Sequence, residues 1–197
     1  MRKIVLAVIT ATAVAAVLLV AGPQRITLAQ DKTGDETLAT KLEQHSESGF
    51  HNLTAFTIQE GKTTFAGLGS DEHTEVEIGS VTKMFTGELA HQLVEEGKLS
   101  PDTTVGEILE VGDAPVKDVT VRELLDHTSG LPRLASNDVL GSLISAITGA
   151  NPYEGETTED IMDAATKSKL KGRGEESYSN LGYGLLGHMV ETAAGQP

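Results

Sequence analysis

The chain of 197 residues contains no cysteine and no tryptophan, and only 4% of its residues are aromatic. Without cysteine, the protein cannot hold a disulfide scaffold, a catalytic thiol, a lipidated cysteine anchor or a cysteine-ligated metal. Basic residues are scarce as well: 15 lysines and arginines stand against 29 aspartates and glutamates, so the formal net charge is -14. A nucleic-acid-binding surface needs a basic face, so this balance argues against such a partner. The hydrophobic fraction of 39% is enough to bury a core.

The N-terminus has the pattern of an export signal. Arg2 and Lys3 precede an apolar run over residues 4–22, and small residues follow before Gln30. This order predicts a signal peptide over residues 1–29. The run is also long enough to remain as a membrane anchor, since a spanning helix needs roughly 17–25 residues. Both alternatives predict an extracytoplasmic location for the rest of the chain.

The patterning after this leader predicts both strands and helices. Residues 30–48 are interpreted as a polar linker followed by a short amphipathic helix. Two β-prone runs, 53–58 and 63–68, are separated by Glu60-Gly61-Lys62. This arrangement predicts a β-hairpin with glycine in its turn.

The second half of the chain is predicted to be mainly helical. A strong amphipathic helix is predicted from one apolar stripe, which is formed by Val81, Met84, Phe85, Leu89, Leu93 and Val94. Gly97 is predicted to end this helix, because glycine readily adopts the left-handed conformation that follows a helix C-terminus. A capping box over residues 120–123 opens a short helix. Further helices are predicted over 139–147 and 158–165, and a last one from Leu181 to Gly195.

The first candidate for chemistry lies at the start of the strong helix, where Ser80 and Lys83 share one face. A buried amine of lowered pKa can accept a serine proton, and a helix N-terminus places positive dipole near a developing oxyanion. Taken alone, the Ser-x-x-Lys spacing is weak, because Ser168 and Lys171 repeat it. That second pair lies in a basic run without an apolar helix behind it and is interpreted as a solvated loop.

The second candidate is Tyr178-Ser179-Asn180, just before the last helix. A tyrosine can carry a proton when a nearby ammonium lowers its pKa, and an asparagine can bind both a lysine and a substrate amide. The alternative is structural: Asn180 would cap the following helix and Tyr178 would pack on it.

Three motifs in one order identify a family. Ser80-x-x-Lys83 is followed by Leu-Leu-Asp-His-Thr-Ser-Gly-Leu-Pro over residues 124–132 and then by Tyr178-x-Asn180. This combination resembles the serine β-lactamase-related family, which includes class C β-lactamases, D-alanyl-D-alanine carboxypeptidases of that type and related esterases. The resemblance implies an α+β fold of the β-lactamase/transpeptidase type. Residues 49–197 would form its N-terminal part: a mainly helical subdomain plus a β-hairpin of a sheet whose C-terminal strands are missing.

The resemblance also implies roles for single residues. Ser80 would be the acylated nucleophile, and its N–H one oxyanion donor. Lys83 would assist deprotonation of the serine, and Tyr178 would be the base. Asn180 would bind the substrate amide and orient Lys83. His127 would build a turn or pack, and it would not serve as a triad base. The resemblance implies no cofactor, and the other five histidines lack metal-ligand spacing.

One departure from the family concerns a third motif, Lys-Thr-Gly or His-x-Gly, on a downstream strand that supplies a second oxyanion donor. The 17 residues after Asn180 contain neither. We therefore expect a truncated enzyme that is weak or inactive by itself, with an open hairpin edge and with a complementing C-terminal fragment as a potential partner. The expected substrate is a cell-wall peptide, a β-lactam or an ester. The alternative function is a non-catalytic envelope protein that binds peptide without turnover.

Overall fold

A computed structural model of the protein describes residues 26–46, 49–135, 151 and 153–195. The chain forms two compact units, residues 1–77 and 78–197. The predicted leader segment 4–22 and the predicted helix over 139–147 lie outside the described residues. Within those residues, no helix combines the length and the apolar character that crossing a bilayer requires.

The N-terminal unit is a three-stranded antiparallel sheet with one helix. Its elements are β1 (Lys32–Gly34), α1 (Glu36–His45), β2 (Leu53–Gln59) and β3 (Lys62–Leu68), and the strand order is β1-β3-β2. The predicted hairpin and helix are both present. Glu60 and Gly61 form the hairpin turn with φ values of 50° and 77°, the left-handed pair that matches strand twist in two-residue turns.

A third strand lies where the sequence predicted only a polar linker. β1 pairs with β3 from Lys32 opposite Leu68 to Gly34 opposite Ala66. This short edge strand is held by backbone pairing and has no apolar side chains, so it lacks the alternating apolar pattern from which strands are predicted. Gly34 has a φ of 71°, and a Cβ there would lie 2.3 Å from the Phe65 carbonyl oxygen. β3 therefore has a partner on both sides, which the hairpin prediction did not anticipate.

The C-terminal unit is helical. It contains α2 (Thr82–Glu95), α3 (Val105–Ile108), α4 (Val121–Leu125), α5 (Thr158–Lys167) and α6 (Asn180–Ala194), with 3-10 turns at Gly79–Val81 and Pro115–Asp118. Helix α6 packs against all four of the others. The largest fully buried side chains of this unit's core belong to Val105, Val116, Val119, Val121, Leu124, Leu185, Leu186 and Met189.

Helix ends follow the local sequence signals. Thr120 and Glu123 form the predicted capping box at α4, and Gly195 ends α6 with a φ of 70°. Two further capping boxes, Thr104 with Glu107 and Thr157 with Asp160, start α3 and α5.

The apolar stripe of α2 is only partly buried, contrary to its amphipathic pattern. Leu93 is 6% exposed and packs in the core, whereas Met84 and Phe85 are 73% and 61% exposed. The reason is that α2 turns Ala90 and Leu93 toward the core of its own unit. The N-terminal part of the stripe is left outside that core.

Candidate active site

The nucleophile candidate lies in a tight turn before α2. Gly79 has a φ of 52°, a conformation that suits glycine, and opens the 3-10 turn Gly79–Val81. Ser80 in this turn is exposed. Lys83 follows on the first turn of α2, and its Nζ lies 3.5 Å from Ser80 Oγ. The predicted Ser–Lys pair is therefore brought together by local structure alone, because the two residues are three positions apart along the first helical turns.

The Tyr-x-Asn turn is built around Ser179, which is the N-cap of α6. Its buried Oγ accepts from the Gly182 N–H at 2.8 Å and donates to the Pro132 carbonyl at 2.6 Å. The structural alternative for the motif is wrong on this point, because Asn180 is the first helical residue and does not cap. Its carboxamide is thus available for other partners.

The segment over residues 126–133 holds this turn through a series of backbone bonds. Ser177 N donates to the His127 carbonyl at 2.8 Å, and Asn180 N donates to the Arg133 carbonyl at 2.8 Å. Gly174 and Lys171 add bonds to the carbonyls at 128 and 130. The segment over 124–132, which is the middle motif of the three, therefore acts as a frame for the Tyr-x-Asn turn.

His127 is the side chain that joins this frame to the site. It has a φ of 58°, and its Nδ1 accepts from the Ser179 N–H at 3.2 Å. Its ring packs against Tyr178 and Tyr183, with centroid distances of 4.5 and 4.9 Å. Burial, and then the charge of Lys83, lower the pKa of His127. This arrangement suits the packing role that the family resemblance implies.

The four predicted site residues meet at one point. Ser80 Oγ and Tyr178 Oη share a hydrogen bond of 2.6 Å, although 98 residues separate them. Lys83 Nζ donates to Asn180 Oδ1 at 2.8 Å and lies 4.9 Å from the Tyr178 ring centroid. Lys83, Tyr178 and Asn180 are half-buried. The cluster places a hydroxyl nucleophile, a phenol and an ammonium within direct reach of one another.

The electrostatics of the site stabilise the phenolate form of Tyr178 relative to that of an ordinary tyrosine. The Lys83 ammonium, followed by the hydrogen bond from Ser80, lowers the pKa of Tyr178, and Arg133 adds a smaller effect of the same sign. An opposite charge nearby stabilises the charged form of a group. Tyr178 is therefore better suited to accept a proton than an ordinary tyrosine.

Two side chains at this cluster were missed by the sequence analysis. Asn180 Nδ2 donates to Tyr153 Oη at 2.6 Å, and the Arg133 guanidinium lies 5.0 Å from the Tyr178 ring centroid. Tyr153 comes from a loop-rich stretch that carries no periodic signal. Arg133 follows directly after the middle motif, and this position is the one signal that could have drawn attention to it.

A Lys-Thr-Gly tripeptide does occur in the chain, as strand β1 of the N-terminal unit. Lys32 Nζ lies 2.8 Å from a Glu43 carboxylate oxygen, and Thr33 Oγ1 donates to the Ser70 carbonyl at 2.6 Å. The polar side chains of this tripeptide are thus engaged within their own unit. Across the described ranges, His, Asp and Glu side chains form no group of three that could hold a metal ion.

Comparisons with known proteins agree with the motifs. The family model described as Beta-lactamase matches residues 35–197. Penicillin-binding protein 4 of Amycolatopsis lactamdurans is 29% identical over 160 residues, which make up 76% of this chain and 37% of that protein. A class C β-lactamase solved in complex with cefoxitin has a TM-score of 0.58 at 27% identity; the match covers 74% of this chain and 40% of that one.

A β-lactamase/D-alanine carboxypeptidase from Pseudomonas syringae has a TM-score of 0.62 at 22% identity, which shows the fold alone. That match covers 82% of this chain and 44% of the other. The chain thus spans less than half the length of these relatives. The predicted α+β fold of the β-lactamase/transpeptidase type is confirmed, and because the family model matches most of its residues, the chain belongs to the beta-lactamase family.

Proposed function

We propose that this protein is a serine hydrolase that works through an acyl-enzyme on Ser80. The observation that carries this proposal is the 2.6 Å hydrogen bond between Ser80 Oγ and Tyr178 Oη, beside the Lys83 ammonium. A weak nucleophile becomes active when an adjacent base can take its proton. Here the base is a phenol whose pKa is lowered by Lys83.

The acylation step follows from this geometry. Tyr178, as the phenolate, takes the proton of the Ser80 hydroxyl, and Oγ bonds to the carbonyl carbon of the substrate. The bond from that carbon to the leaving group then breaks, and Tyr178 returns the proton to the leaving nitrogen or oxygen. The positive end of α2 and the Ser80 N–H stabilise the oxyanion that forms in between.

The acyl-enzyme is then hydrolysed by the same base. Tyr178 takes a proton from a water molecule, and the resulting hydroxide bonds to the acyl carbon. The ester bond to Oγ breaks, and Ser80 takes the proton back from Tyr178. Lys83 balances the charge of the phenolate throughout, while Asn180 holds Lys83 through its Oδ1.

The substrate class is proposed from the relatives. Names such as penicillin-binding protein and class C β-lactamase favour a β-lactam or a cell-wall peptide, and an ester is a third option. We also propose that full turnover needs a complementing segment that carries the third motif. Loss of one oxyanion donor costs roughly 2.7–4 kcal/mol of transition-state stabilisation, so we expect slow turnover by these 197 residues alone.

Export is proposed on the leader pattern alone. Residues 1–29 would direct the protein out of the cytoplasm and would then be cleaved or kept as an anchor. Mass spectrometry of the exported protein tests this, because cleavage before Gln30 would place the new N-terminus at that residue, whereas an anchor would keep Met1 in the membrane fraction.

The central test is covalent labelling of Ser80. We expect a fluorescent penicillin or a fluorophosphonate to add one acyl or phosphonyl group to the folded protein, mapped to the peptide that contains Ser80. Ser80→Ala should abolish the adduct. The matched control is Ser168→Ala, which alters the second Ser-x-x-Lys sequence and should label normally.

Equal labelling of Ser80→Ala would overturn the proposal. Absence of any adduct on folded protein would also contradict it and would favour a non-catalytic envelope protein.

A further inference from the structure

We propose that Arg133 is a second cationic partner of Tyr178, besides Lys83, and that it stabilises the phenolate form of this side chain. The inference deepens the proposed function, because it rests on Tyr178 as the base. Neither the motifs nor the family resemblance assigned a role to Arg133.

The geometry places two cations on one phenol. The Arg133 Cζ atom lies 5.0 Å from the Tyr178 ring centroid, and Lys83 Nζ lies 4.9 Å from it. A guanidinium within about 6 Å of an aromatic centroid is attracted by the ring. Ionisation of the phenol would strengthen this attraction, because it adds a full negative charge.

The main chain of Arg133 is fixed to the same turn as Tyr178. Its carbonyl oxygen accepts from Asn180 N at 2.8 Å and from Leu181 N at 3.4 Å. These bonds satisfy two amide donors at the start of α6, where helices need external acceptors. The guanidinium is therefore attached to a backbone position that is held close to the base, although the side chain itself is exposed.

The other groups around Tyr178 do not supply this charge. His127, which packs on the phenol ring, accepts a hydrogen bond at Nδ1, and burial followed by Lys83 lowers its pKa. Tyr183 packs on His127 and is uncharged at neutral pH. The Ser80 hydroxyl, which shares a hydrogen bond with Tyr178, is neutral, and the carboxylates of Asp126 and Glu176 near His127 carry the opposite charge.

The two cations have different properties. Lys83 Nζ donates to Asn180 Oδ1 at 2.8 Å and lies 3.5 Å from Ser80 Oγ. An ammonium can release its proton, whereas a guanidinium stays charged throughout the range in which enzymes work. Arg133 would therefore keep a positive charge beside Tyr178 at every step of the proposed reaction.

The composition of the chain permits a direct test. It has three tyrosines and no tryptophan, so the near-ultraviolet absorbance of phenolate reports Tyr153, Tyr178 and Tyr183 alone. Single Tyr→Phe variants assign the three titrations. We expect Arg133→Gln to raise the titration midpoint of Tyr178 by about half a pH unit or more, because an exposed charge at this distance acts through water.

The controls keep the result specific. Arg133→Lys retains a positive charge and should leave the midpoint close to that of the native protein. Tyr153 and Tyr183 should keep their midpoints in both variants. Arg133→Met provides a second neutral variant, and circular dichroism verifies that each protein is folded. An unchanged Tyr178 midpoint in folded Arg133→Gln or Arg133→Met, or an equal shift of all three tyrosines, would overturn the inference.

The titration is independent of catalysis. If the native protein fails to label at Ser80 but the Tyr178 midpoint rises in Arg133→Gln, the proposed function fails and the charge effect of Arg133 stands. If the native protein labels and the midpoint does not move, the inference alone fails. If the proposed function and the inference both hold, the pH profile of Ser80 labelling in Arg133→Gln should move to higher pH by the same amount as the Tyr178 midpoint.

Discussion

The carboxamide of Asn180 joins two side chains that are far away in the sequence. Its Oδ1 accepts from Lys83 at 2.8 Å, and its Nδ2 donates to Tyr153 Oη at 2.6 Å. Tyr153 is held in turn, because its N–H donates to Asn151 Oδ1 at 3.0 Å. The phenol of Tyr153 thus fixes which end of the amide faces Lys83.

Tyr153→Phe tests this fixing role. The variant keeps the ring and removes the acceptor, so the carboxamide can turn and Lys83 loses its ordered partner for part of the time. A neutral hydrogen bond contributes about 0.5–1.5 kcal/mol, which corresponds to a roughly 2- to 10-fold slower labelling of Ser80. Rates of labelling by a fluorophosphonate provide the measurement.

The matched control is Tyr183→Phe, whose hydroxyl donates to the Leu125 carbonyl and not to the site. We expect this control to lower stability with little change in the labelling rate per folded molecule. If Tyr153→Phe labelled at the native rate, the hydrogen bond to Tyr153 would not be needed to orient the Asn180 carboxamide.

At the scale of elements, the start of α6 decides where the catalytic side chains lie. Ser179 satisfies the helix N-terminus and the Pro132 carbonyl, and its hydroxyl is buried. The neighbours on either side reach the site: Tyr178 contacts Ser80, and Asn180 contacts Lys83. Capping and chemistry are thus divided between adjacent residues.

Two alanine variants separate these roles. Ser179→Ala should lower the free energy of unfolding by about 1–2 kcal/mol, because a helix cap is lost and the half-buried Pro132 carbonyl loses its donor. Asn180→Ala should leave unfolding nearly unchanged but should slow labelling of Ser80 strongly. Urea denaturation followed by circular dichroism measures the first effect. If both variants lowered the free energy of unfolding equally, the separation of capping by Ser179 from catalysis by Asn180 would be contradicted.

Arg173 shows how one element supports another. Its guanidinium binds both carboxylate oxygens of Glu123 on α4, at 2.6 and 2.7 Å, and lowers the pKa of that carboxyl group. The loop that leads to Tyr178 is thereby tied to α4, in addition to its backbone bonds with the middle motif.

At the scale of the whole molecule, each unit has its own core. Among the described residues of the N-terminal unit, the buried hydrophobic side chains are those of Ala39, Ala66 and Leu68, whereas the helical unit buries a much larger set. The helical unit also leaves apolar side chains of its first turns in water. Val81, Met84, Phe85 and Leu89 are each more than half exposed, and such patches mark interaction surfaces.

The exposed face of α2, formed by Met84, Phe85 and Leu89 and continued by Val81 in the preceding turn, supports the proposed complementing segment. We expect the protein to self-associate at micromolar concentration despite its net charge of -14. Phe85→Lys should reduce association, as measured by light scattering, and should change stability by less than about 0.5 kcal/mol, as is usual for surface positions.

The buried position on the same helix is the control. Leu93→Ala should lower the free energy of unfolding by about 2–5 kcal/mol, because it leaves a cavity in the core. If Phe85→Lys lowered the free energy of unfolding by a similar amount, the exposed face of α2 would have to be packed in solution.

Much of the fold was predictable because its signals are local. The turn at Gly61, the capping box at Thr120 and the end of α6 at Gly195 depend on backbone preferences of a few adjacent residues. The edge strand β1 was not predictable in this way. It is short and polar, and its pairing partner β3 lies about 30 residues later in the chain.

The pairing of Ser80 with Lys83 was predictable from their spacing, because one helical turn brings them together, and the order of the three motifs was enough to predict the family. Three features became visible only in the folded molecule: Tyr178 meets Ser80, Ser179 caps α6 in place of Asn180, and Tyr153 and Arg133 join the cluster. These contacts depend on how α6 and the segment over 126–133 pack together. No local preference specifies which side chains that packing brings within reach.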